Sequence, residues 1–461
     1  MMTPSRTSHQ TNLFYSDLLL QLDPQDPLIK LSQVIPWQSF EDSFAKHYHC
    51  SKGRPAKPIR LMVGLLLLKQ LEDLSDEQVV IQFKRNPYFQ VFCGETEFRQ
   101  SEPCAATDLV HFRKRIGSEG VETIFHASVQ LHGKAAEEPN VLVDTTVQEK
   151  AITYPTDGKL AIKIINRLNK LAKKLGIQQR RTYEKEVKAL RLNLRFFRHV
   201  KKRAKAKKAI KRLRTIAHTL IRELERKLTA EPLKRYEQSF AFYRQVLSQE
   251  KNDKNKIYSL HEPHVCCIAK GKDHKPYEYG SKVSIVSTEK SGVIVGVVNH
   301  EGNPHDGKTL ESALASAMKH RDKTIRCAIC DRGYRGHAKI ENTEVRLPGK
   351  ALKRDTTYQR QKKRKQCRRR AAIEPQIGHL KSDFRLTRNW LKGIVGDEIN
   401  LYLAAAAWNL RKWMREVLLA FFRLCTIINA IGVKPMKAIF QRYGELGKRS
   451  KARDLRRFCP E

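Results

Sequence analysis

Three acidic residues are candidates for a catalytic or metal-binding role, and two of them follow apolar runs. Asp144 follows the run 141–143, and Asp331 follows the run 325–330. Both runs read as buried strands, and parallel-type sheets place ligands beyond the carboxyl ends of their strands. Two carboxylates brought together there repel each other unless a cation lies between them. Either acid alone is more often a capping or solvent-facing residue, so the prediction depends on the pair.

Glu374 is the third candidate, and its neighbours are cations. Arg370 precedes it by four residues and Lys381 follows it by seven. Seven residues is nearly two helical turns, so Glu374 and Lys381 should share a face that offers one metal ligand beside cations able to grip phosphates. Proline is tolerated at the start of a helix, so Pro375 predicts a helix that begins near Glu374, with Arg370 in the preceding segment.

Oxygen ligands of this kind suit magnesium. Mg²⁺ takes a few carboxylates and completes its shell with water and phosphate oxygens. Two such ions, about 3.5–4 Å apart, can activate an attacking hydroxyl and stabilise the leaving oxygen at phosphorus. Asp144, Asp331 and Glu374 are therefore candidate ligands for Mg²⁺, with Mn²⁺ as a substitute. Asp306, in a glycine-flanked loop, competes with Asp331 for that position and is interpreted as a loop-forming or supporting residue.

The net charge of the chain indicates its substrate. The 461 residues include 89 Lys and Arg against 48 Asp and Glu, a net charge of +41. A field of that sign attracts polyanions, most commonly nucleic acid, although ribosomal RNA or a membrane surface is an alternative partner. The longest apolar stretch, 417–433, falls short of the roughly 20 apolar residues of a membrane span. The polar start also lacks a signal-peptide core, so we expect a cytoplasmic protein with no membrane partner.

The ten cysteines are spread irregularly, which does not suggest a disulfide framework in a large cytosolic protein. Cys327 and Cys330 form a CxxC without a second pair, so we interpret them as core residues of the strand before Asp331 and expect no zinc there. One further cluster of metal-ligand types comprises His261, His264, Cys266 and Cys267. Neighbours on a strand point to opposite faces, which argues against a shared metal in that cluster.

The elements that must position the acids fall into five segments. Residues 1–135 read as short helices joined by tight turns, compatible with a helix-turn-helix DNA-binding domain or with ordinary helical packing. Residues 136–157 contain the first strand of a mixed α/β sheet, and 258–425 contain the remainder of that sheet. Between them, 158–257 is a basic helical insertion, and 426–461 is a basic C-terminal tail.

The insertion carries the densest positive charge. Between Arg198 and Arg214 lie ten Lys or Arg residues and no acid, whereas Leu and Ile recur at helical spacing elsewhere in the segment. We interpret it as a long helical hairpin with one apolar seam and a basic outer face. Like charges this close repel by roughly several tenths of a kcal/mol per pair. A polyanion would relieve that repulsion, and a solvated face is the alternative. The predicted DNA-binding cations are Lys201, Lys202, Arg203, Lys205, Lys207 and Lys208.

Seven stretches carry a resemblance to a known family. They are residues 53–58, 112–117, 141–146, 258–263, 302–307, 331–336 and 372–381. In them the chain resembles bacterial insertion-sequence transposases of the DDE type. The last stretch fits a family signature of Tyr, two residues, Arg, three residues, Glu, six residues and Lys. Arg370, Glu374 and Lys381 fit that signature, and Cys367 stands at the Tyr position.

The resemblance implies an α/β fold with an RNase H-like mixed sheet and Asp144, Asp331 and Glu374 as the catalytic triad. It also implies that Arg370 and Lys381 contact DNA phosphates near the scissile bond. Such an enzyme would bind terminal inverted repeats in double-stranded DNA, cleave a phosphodiester and join the freed 3′ hydroxyl to target DNA. It would act as a homodimer or larger oligomer in the bacterial cytoplasm, on the nucleoid when bound to DNA. A structure-specific nuclease or resolvase on the same fold, or a non-catalytic basic DNA-binding protein, is the alternative.

Overall fold

A mixed sheet of seven strands forms the centre of the structure, a computed structural model that describes residues 17–49, 51–250, 252–271, 275–336, 338–349 and 352–430. The strands are β1 (Asn140–Glu149), β2 (Cys266–Ala269), β3 (Tyr277–Thr288), β4 (Ile294–His300), β5 (Cys327–Ile329), β6 (Lys339–Ile340) and β7 (Thr343–Arg346). Most of the predicted tail, 431–461, lies outside the described residues.

The strand order combines an antiparallel and a parallel part. It runs β2-β3-β1-β5-β7-β6, and β4 pairs with β3. β1 is antiparallel to β3 and parallel to β5, and β5 is parallel to β7. This mixed α/β sheet confirms the predicted fold class and is consistent with an RNase H-like fold.

The helices before the sheet are α1 (Pro27–Val34), α2 (Trp37–Ala45), α3 (Ile59–Leu71), α4 (Asp76–Arg85), α5 (Pro87–Phe92) and α6 (Ala106–Gln130). Local sequence signals set their ends. Ser75 and Gln78 cap α4 reciprocally, and Gly117, at φ 62° and ψ −162°, interrupts α6. Leu65 of α3 and Phe125 of α6 share one hydrophobic core with Val143 of the sheet, so these helices are packed onto the sheet.

The insertion is helical, as predicted, but it is more than a hairpin. It contains α7 (Asp157–Lys174), α8 (Glu184–Asn193), α9 (Arg203–Lys227) and α10 (Ala230–Ser248). Leu168 of α7, Leu220 of α9 and Phe240 of α10 belong to a second hydrophobic core, separate from that of the sheet. The hairpin interpretation was wrong because the apolar residues at helical spacing meet across several helices rather than along one seam.

The helices after β4 carry the rest of the candidate site. They are α11 (Asp306–Met318), α12 (Thr357–Arg370), α13 (Ile373–Ser382) and α14 (Gly393–Ala430). Short 3-10 turns occur at Leu18–Gln21, Gly133–Ala135, Leu194–Arg198 and Arg332–Tyr334. The start of α13 at Ile373 confirms the helix boundary predicted near Glu374, with Arg370 ending the helix before it. No helix in the described part of the chain is long and apolar enough to cross a membrane.

Candidate active site

Asp144 lies within β1 rather than at its end, so the predicted strand end was wrong. β1 continues to Glu149 because its antiparallel ladder with β3 extends over residues 141–149. On its other side the parallel ladder with β5 stops at the pair Leu142 and Ile329. Asp144 is therefore at an edge of the sheet because the neighbouring strand ends there, not because its own strand does.

Asp331 follows the end of β5 and caps the short turn after it. Its Oδ1 accepts a hydrogen bond of 2.7 Å from the backbone N–H of Gly333. Asp144 and Asp331 are each two residues beyond the paired Leu142 and Ile329, and neighbouring strands lie about 4.8 Å apart. The fold thus brings these two predicted acids side by side.

The ionisation of Asp144 reflects that neighbourhood. The pKa of its carboxyl is raised from the usual 3.8 to about 6, chiefly by burial and also by the nearby charges of Asp331 and Asp306. The Thr145 N–H, which donates a 2.7 Å hydrogen bond to Asp144 Oδ1, and the guanidinium of Arg370 oppose the shift. A buried carboxylate with acidic neighbours is disfavoured as an anion, and a bound cation would relieve that cost.

Arg370 connects the first acid with the third. Its Nη2 lies 2.6 Å from Glu374 Oε1, and its Nη1 lies 3.9 Å from Asp144 Oδ2. The side chain of Glu374 is 56% exposed. Within the described residues, no three His, Cys, Asp or Glu side chains form a group able to hold a metal ion. The oxygen donors are of the right chemical type for magnesium, but Glu374 is paired with arginine here.

Asp306, the first residue of α11, is a fourth acid at this edge. Its Oδ1 accepts a 2.8 Å hydrogen bond from Thr145 Oγ1 and lies 2.5 Å from Lys282 Nζ. Burial would raise the pKa of Asp306, but the hydrogen bonds from Lys282 and Thr145 outweigh it and lower the pKa. A Cβ at Gly333 would lie 2.9 Å from Asp306 Oδ2 and 3.0 Å from Asp331 Oδ1, so a glycine allows both carboxylates to approach.

From the sequence, Asp306 was interpreted only as a loop-forming or supporting residue. Its link to the site is a contact with Lys282, which is distant from it in the sequence. Lys282 belongs to β3 and is buried, and its Nζ also donates to the Pro304 carbonyl at 2.8 Å. A buried lysine on a strand needs an acidic partner. That requirement asks for an acid near Lys282, and the pairing of β3 with β4 supplies Asp306.

Lys381 does not lie beside the acids as its helical spacing suggested. Its Nζ is 3.4 Å from Glu278 of β3, near the Glu149 end of β1 and away from Asp144. Burial lowers the pKa of this ammonium, and Glu278 partly offsets that effect. Helical spacing puts Lys381 on the same face of α13 as Glu374. Which side chain Lys381 contacts is determined instead by the strands against which α13 packs, and that side chain is Glu278 of β3.

The six predicted DNA-binding cations of the insertion, Lys201, Lys202, Arg203, Lys205, Lys207 and Lys208, are all exposed. The ion pairs that the structure places nearby involve other residues of α9, namely Arg212 with Glu186 and Arg214 with Asp157. Lys202 lies over the ring of Phe196 with its Nζ 4.9 Å from the centroid. The basic start of α9 thus presents its charges to solvent.

The cysteines near the acids are of two kinds. Cys327 and Cys330 are buried, which confirms them as core residues, and burial raises the pKa of both thiols. Cys367, at the signature Tyr position, is exposed on α12 with its Sγ 3.7 Å from the Gly349 carbonyl oxygen.

Two family models match the chain: a "Transposase domain (DUF772)" over residues 16–115 and a "Transposase DDE domain" over residues 261–410. The chain belongs to the insertion-sequence DDE transposases. This transposase is also 42% identical over 206 residues to an uncharacterized protein of Rhizobium meliloti, ORF8 in the nfe locus. The alignment covers 43% of this chain and 99% of that protein. No solved structure matches the transposase.

The two matched segments of the transposase lie on either side of its insertion. The DDE match includes Asp331 and Glu374, and it begins after both Asp144 and the insertion. The first match ends within α6, before β1. Across this long interruption in the sequence, the pairing of β1 with β5 places Asp144 beside Asp331, and Arg370 links Asp144 to Glu374.

Proposed function

We propose that this transposase cleaves DNA at the ends of its element and joins the freed 3′ hydroxyl to target DNA, using Asp144, Asp331 and Glu374 as its catalytic acids. The observation that carries the proposal is the pairing of β1 with β5, which sets Asp144 and Asp331 side by side. The raised pKa of Asp144, about 6, supports it, because a site that disfavours its own negative charge favours a cation.

Asp144 and Asp331 would hold the divalent metal between neighbouring strands, and Glu374 would complete the set from α13. A bound Mg²⁺ or Mn²⁺ supplies a more acidic nucleophile and stabilisation of charge at phosphorus. Arg370 is positioned to bind a phosphate oxygen, since its guanidinium already lies 2.6 Å from a carboxylate and suits either anion. A phosphate that takes over Arg370 would leave Glu374 free to serve as a ligand.

Binding to DNA is proposed for three parts of the chain. The helices of residues 1–135 would recognise the terminal inverted repeats. The exposed cations at the start of α9 would contact the backbone of double-stranded DNA, because Lys and Arg arrays without Asn or Gln interleaving favour phosphates over bases. Lys381 is proposed as a further phosphate contact, for which DNA would have to displace Glu278. Joining two element ends to one target favours a homodimer or larger oligomer.

The test is an assay with labelled element ends, a supercoiled target plasmid and either Mg²⁺ or Mn²⁺. We expect a 3′ hydroxyl at each end and covalent joining of that end to the plasmid, both lost in EDTA. Cleavage without joining would assign a nuclease instead. Specific binding without cleavage in either metal would assign a non-catalytic DNA-binding protein.

A further inference from the structure

Helix α12 has no fully buried residue, and all of its charged residues are cations. None of its residues is buried, and its sequence contains no acid. The cations are Arg360, Lys362, Lys363, Arg364, Lys365, Arg368, Arg369 and Arg370. Most helices of globular proteins are stabilised by packing an apolar face, and α12 has no such face. Something other than a hydrophobic core must therefore stabilise it.

One face of α12 is held to the protein by polar contacts. Lys363 Nζ lies 2.7 Å from Asp355, Arg369 Nε lies 3.5 Å from Glu289, and Arg370 Nη2 lies 2.6 Å from Glu374. The half-buried residues of the helix after Thr357 belong to the same side: Lys363, Gln366, Arg369 and Arg370. This side fixes the orientation of the helix over the sheet edge that carries Asp144.

The opposite side is a row of three arginines that we call the arginine ridge: Arg360, Arg364 and Arg368. They are spaced four residues apart, so they line one face, and all three are exposed. Among the described residues none of them forms an ion pair, and Arg360 donates only to the Lys353 carbonyl oxygen, at 2.6 Å. Like charges at this spacing destabilise a helix by a few tenths of a kcal/mol, roughly, per pair. The ridge thus lacks the ion pairs that the docked face has, although the charge of Asp355, which pairs with Lys363, also acts on Arg360.

We infer that the arginine ridge binds the phosphate backbone of duplex DNA and leads the strand to the catalytic acids. The inference rests on the proposed function. The position of α12 supports the inference, because the helix ends at Arg370, whose guanidinium contacts Glu374 and faces Asp144. The size of the ridge also fits. Eight residues of helix span about 12 Å, and phosphates of one strand advance about 3.4 Å along the duplex axis.

Arginine suits this role better than lysine would. Its planar guanidinium forms paired hydrogen bonds with a phosphate, and it stays charged at any physiological pH. Three guanidinium groups in a row would hold a backbone in one orientation, whereas the exposed cations at the start of α9, mostly lysines, would add attraction with less directional contacts. The ridge is therefore a positioning surface for the DNA strand rather than a catalytic group.

The experiment compares two triple variants in an Asp144→Asn background, which prevents cleavage while binding is measured. The first is Arg360→Gln, Arg364→Gln and Arg368→Gln. The matched control is Lys319→Gln, Lys323→Gln and Arg326→Gln, whose exposed cations lie at the other ends of α11 and β5 from Asp306 and Asp331. Binding to element-end and random duplexes is measured over a range of salt, and circular dichroism checks that each variant is folded.

We expect the ridge variant to lower the slope of log affinity against log salt by up to about 2.7, or about 0.9 for each of three phosphate contacts. A triple Arg→Lys variant should keep most of the slope, and the control should change it by less than one contact. If the ridge variant is folded and keeps the parent slope while the parent binds DNA, the ridge inference is wrong and the proposed function stands. If the parent itself does not bind duplex DNA, both fail.

Discussion

Arg370 holds Glu374 through a 2.6 Å contact between Nη2 and Oε1, while its Nη1 faces Asp144 at 3.9 Å. One guanidinium thus partly neutralises two of the three proposed metal ligands. A cation and an arginine compete for the same carboxylates, so the two should not be bound equally well together.

Replacing Arg370 should therefore separate metal binding from catalysis. We expect Arg370→Gln to bind Mn²⁺ about tenfold more tightly than the parent protein without DNA, because a competing positive charge is removed. The same variant should cleave DNA more slowly, since its phosphate contact is lost. Calorimetric titration with Mn²⁺ measures the first effect, and Arg370→Lys is the charge-preserving control. Weaker Mn²⁺ binding by Arg370→Gln would show that Arg370 supports the ligands rather than competing with metal.

The raised pKa of Asp144 makes a prediction about stability and pH. Its folded pKa, about 6, exceeds the usual 3.8, so burying the ionised carboxylate costs stability. This cost in the free energy of unfolding is absent below about pH 4, grows as the pH rises from about 4 to 6, and is complete above about pH 6. Without metal, Asp144→Asn should raise the free energy of unfolding at pH 7.5 by up to about 2–3 kcal/mol.

Denaturant unfolding of parent and variant at pH 4 and pH 7.5 measures this difference. The gap between them should nearly close at pH 4, where the Asp144 carboxyl is neutral in the folded state and only about half ionised in the unfolded state, whose pKa is the usual 3.8. Asp322→Asn, which changes an exposed acid, is the control and should show little change at either pH. A variant less stable than the parent at pH 7.5 would contradict the proposed burial cost of Asp144.

Asp306 should support the reaction without being essential to it. Its Oδ1 is occupied by Lys282 and Thr145, which leaves Oδ2 toward Gly333 and Asp331. We expect Asp306→Asn to lower Mg²⁺ affinity or the cleavage rate by about 10–100-fold, the range for residues that orient metal ligands. Raising Mg²⁺ should restore part of the rate. Complete inactivity at every Mg²⁺ concentration, in a folded variant, would instead make Asp306 one of the essential acids.

The basic start of α9 predicts a change in DNA affinity that does not depend on sequence. Replacing Lys201, Lys202, Arg203, Lys205, Lys207 and Lys208 with Gln should flatten the salt dependence by about 0.9 per lost contact, for specific and random duplexes alike. Fluorescence anisotropy over a range of salt measures it. An unchanged affinity and slope would leave this surface as a solvated arm or a protein contact.

The sequence was most informative where one segment determines its own structure. The apolar run before Asp331 and the helix start near Glu374 were each predicted from neighbouring residues. It was less informative where distant segments decide. The length of β1 depends on its ladder with β3, and the partner of Lys381 depends on where that ladder places Glu278. Neither the length of β1 nor the partner of Lys381 follows from the spacing of residues along the chain.

The insertion illustrates the same limit. Its Leu and Ile periodicity predicted helices correctly, but periodicity does not reveal how many helices share a core. Ile216 and Phe240 belong to one core built from several helices, which a hairpin would not contain. The Lys282–Asp306 pair was also missed, because a buried lysine on a strand and an acid in a loop are joined only once β3 and β4 pair.

The central claim is that Asp144, Asp331 and Glu374 act as one catalytic set. The most direct measurement compares cleavage and joining of labelled element ends by Asp144→Asn, Asp331→Asn and Glu374→Gln, with DNA affinity measured in parallel and Mn²⁺ tested beside Mg²⁺. We predict that each variant loses both reactions while keeping affinity within a few fold of the parent, because the acids supply metal charge and the cations supply binding. A variant that cleaves at a near-normal rate would remove its residue from the catalytic set.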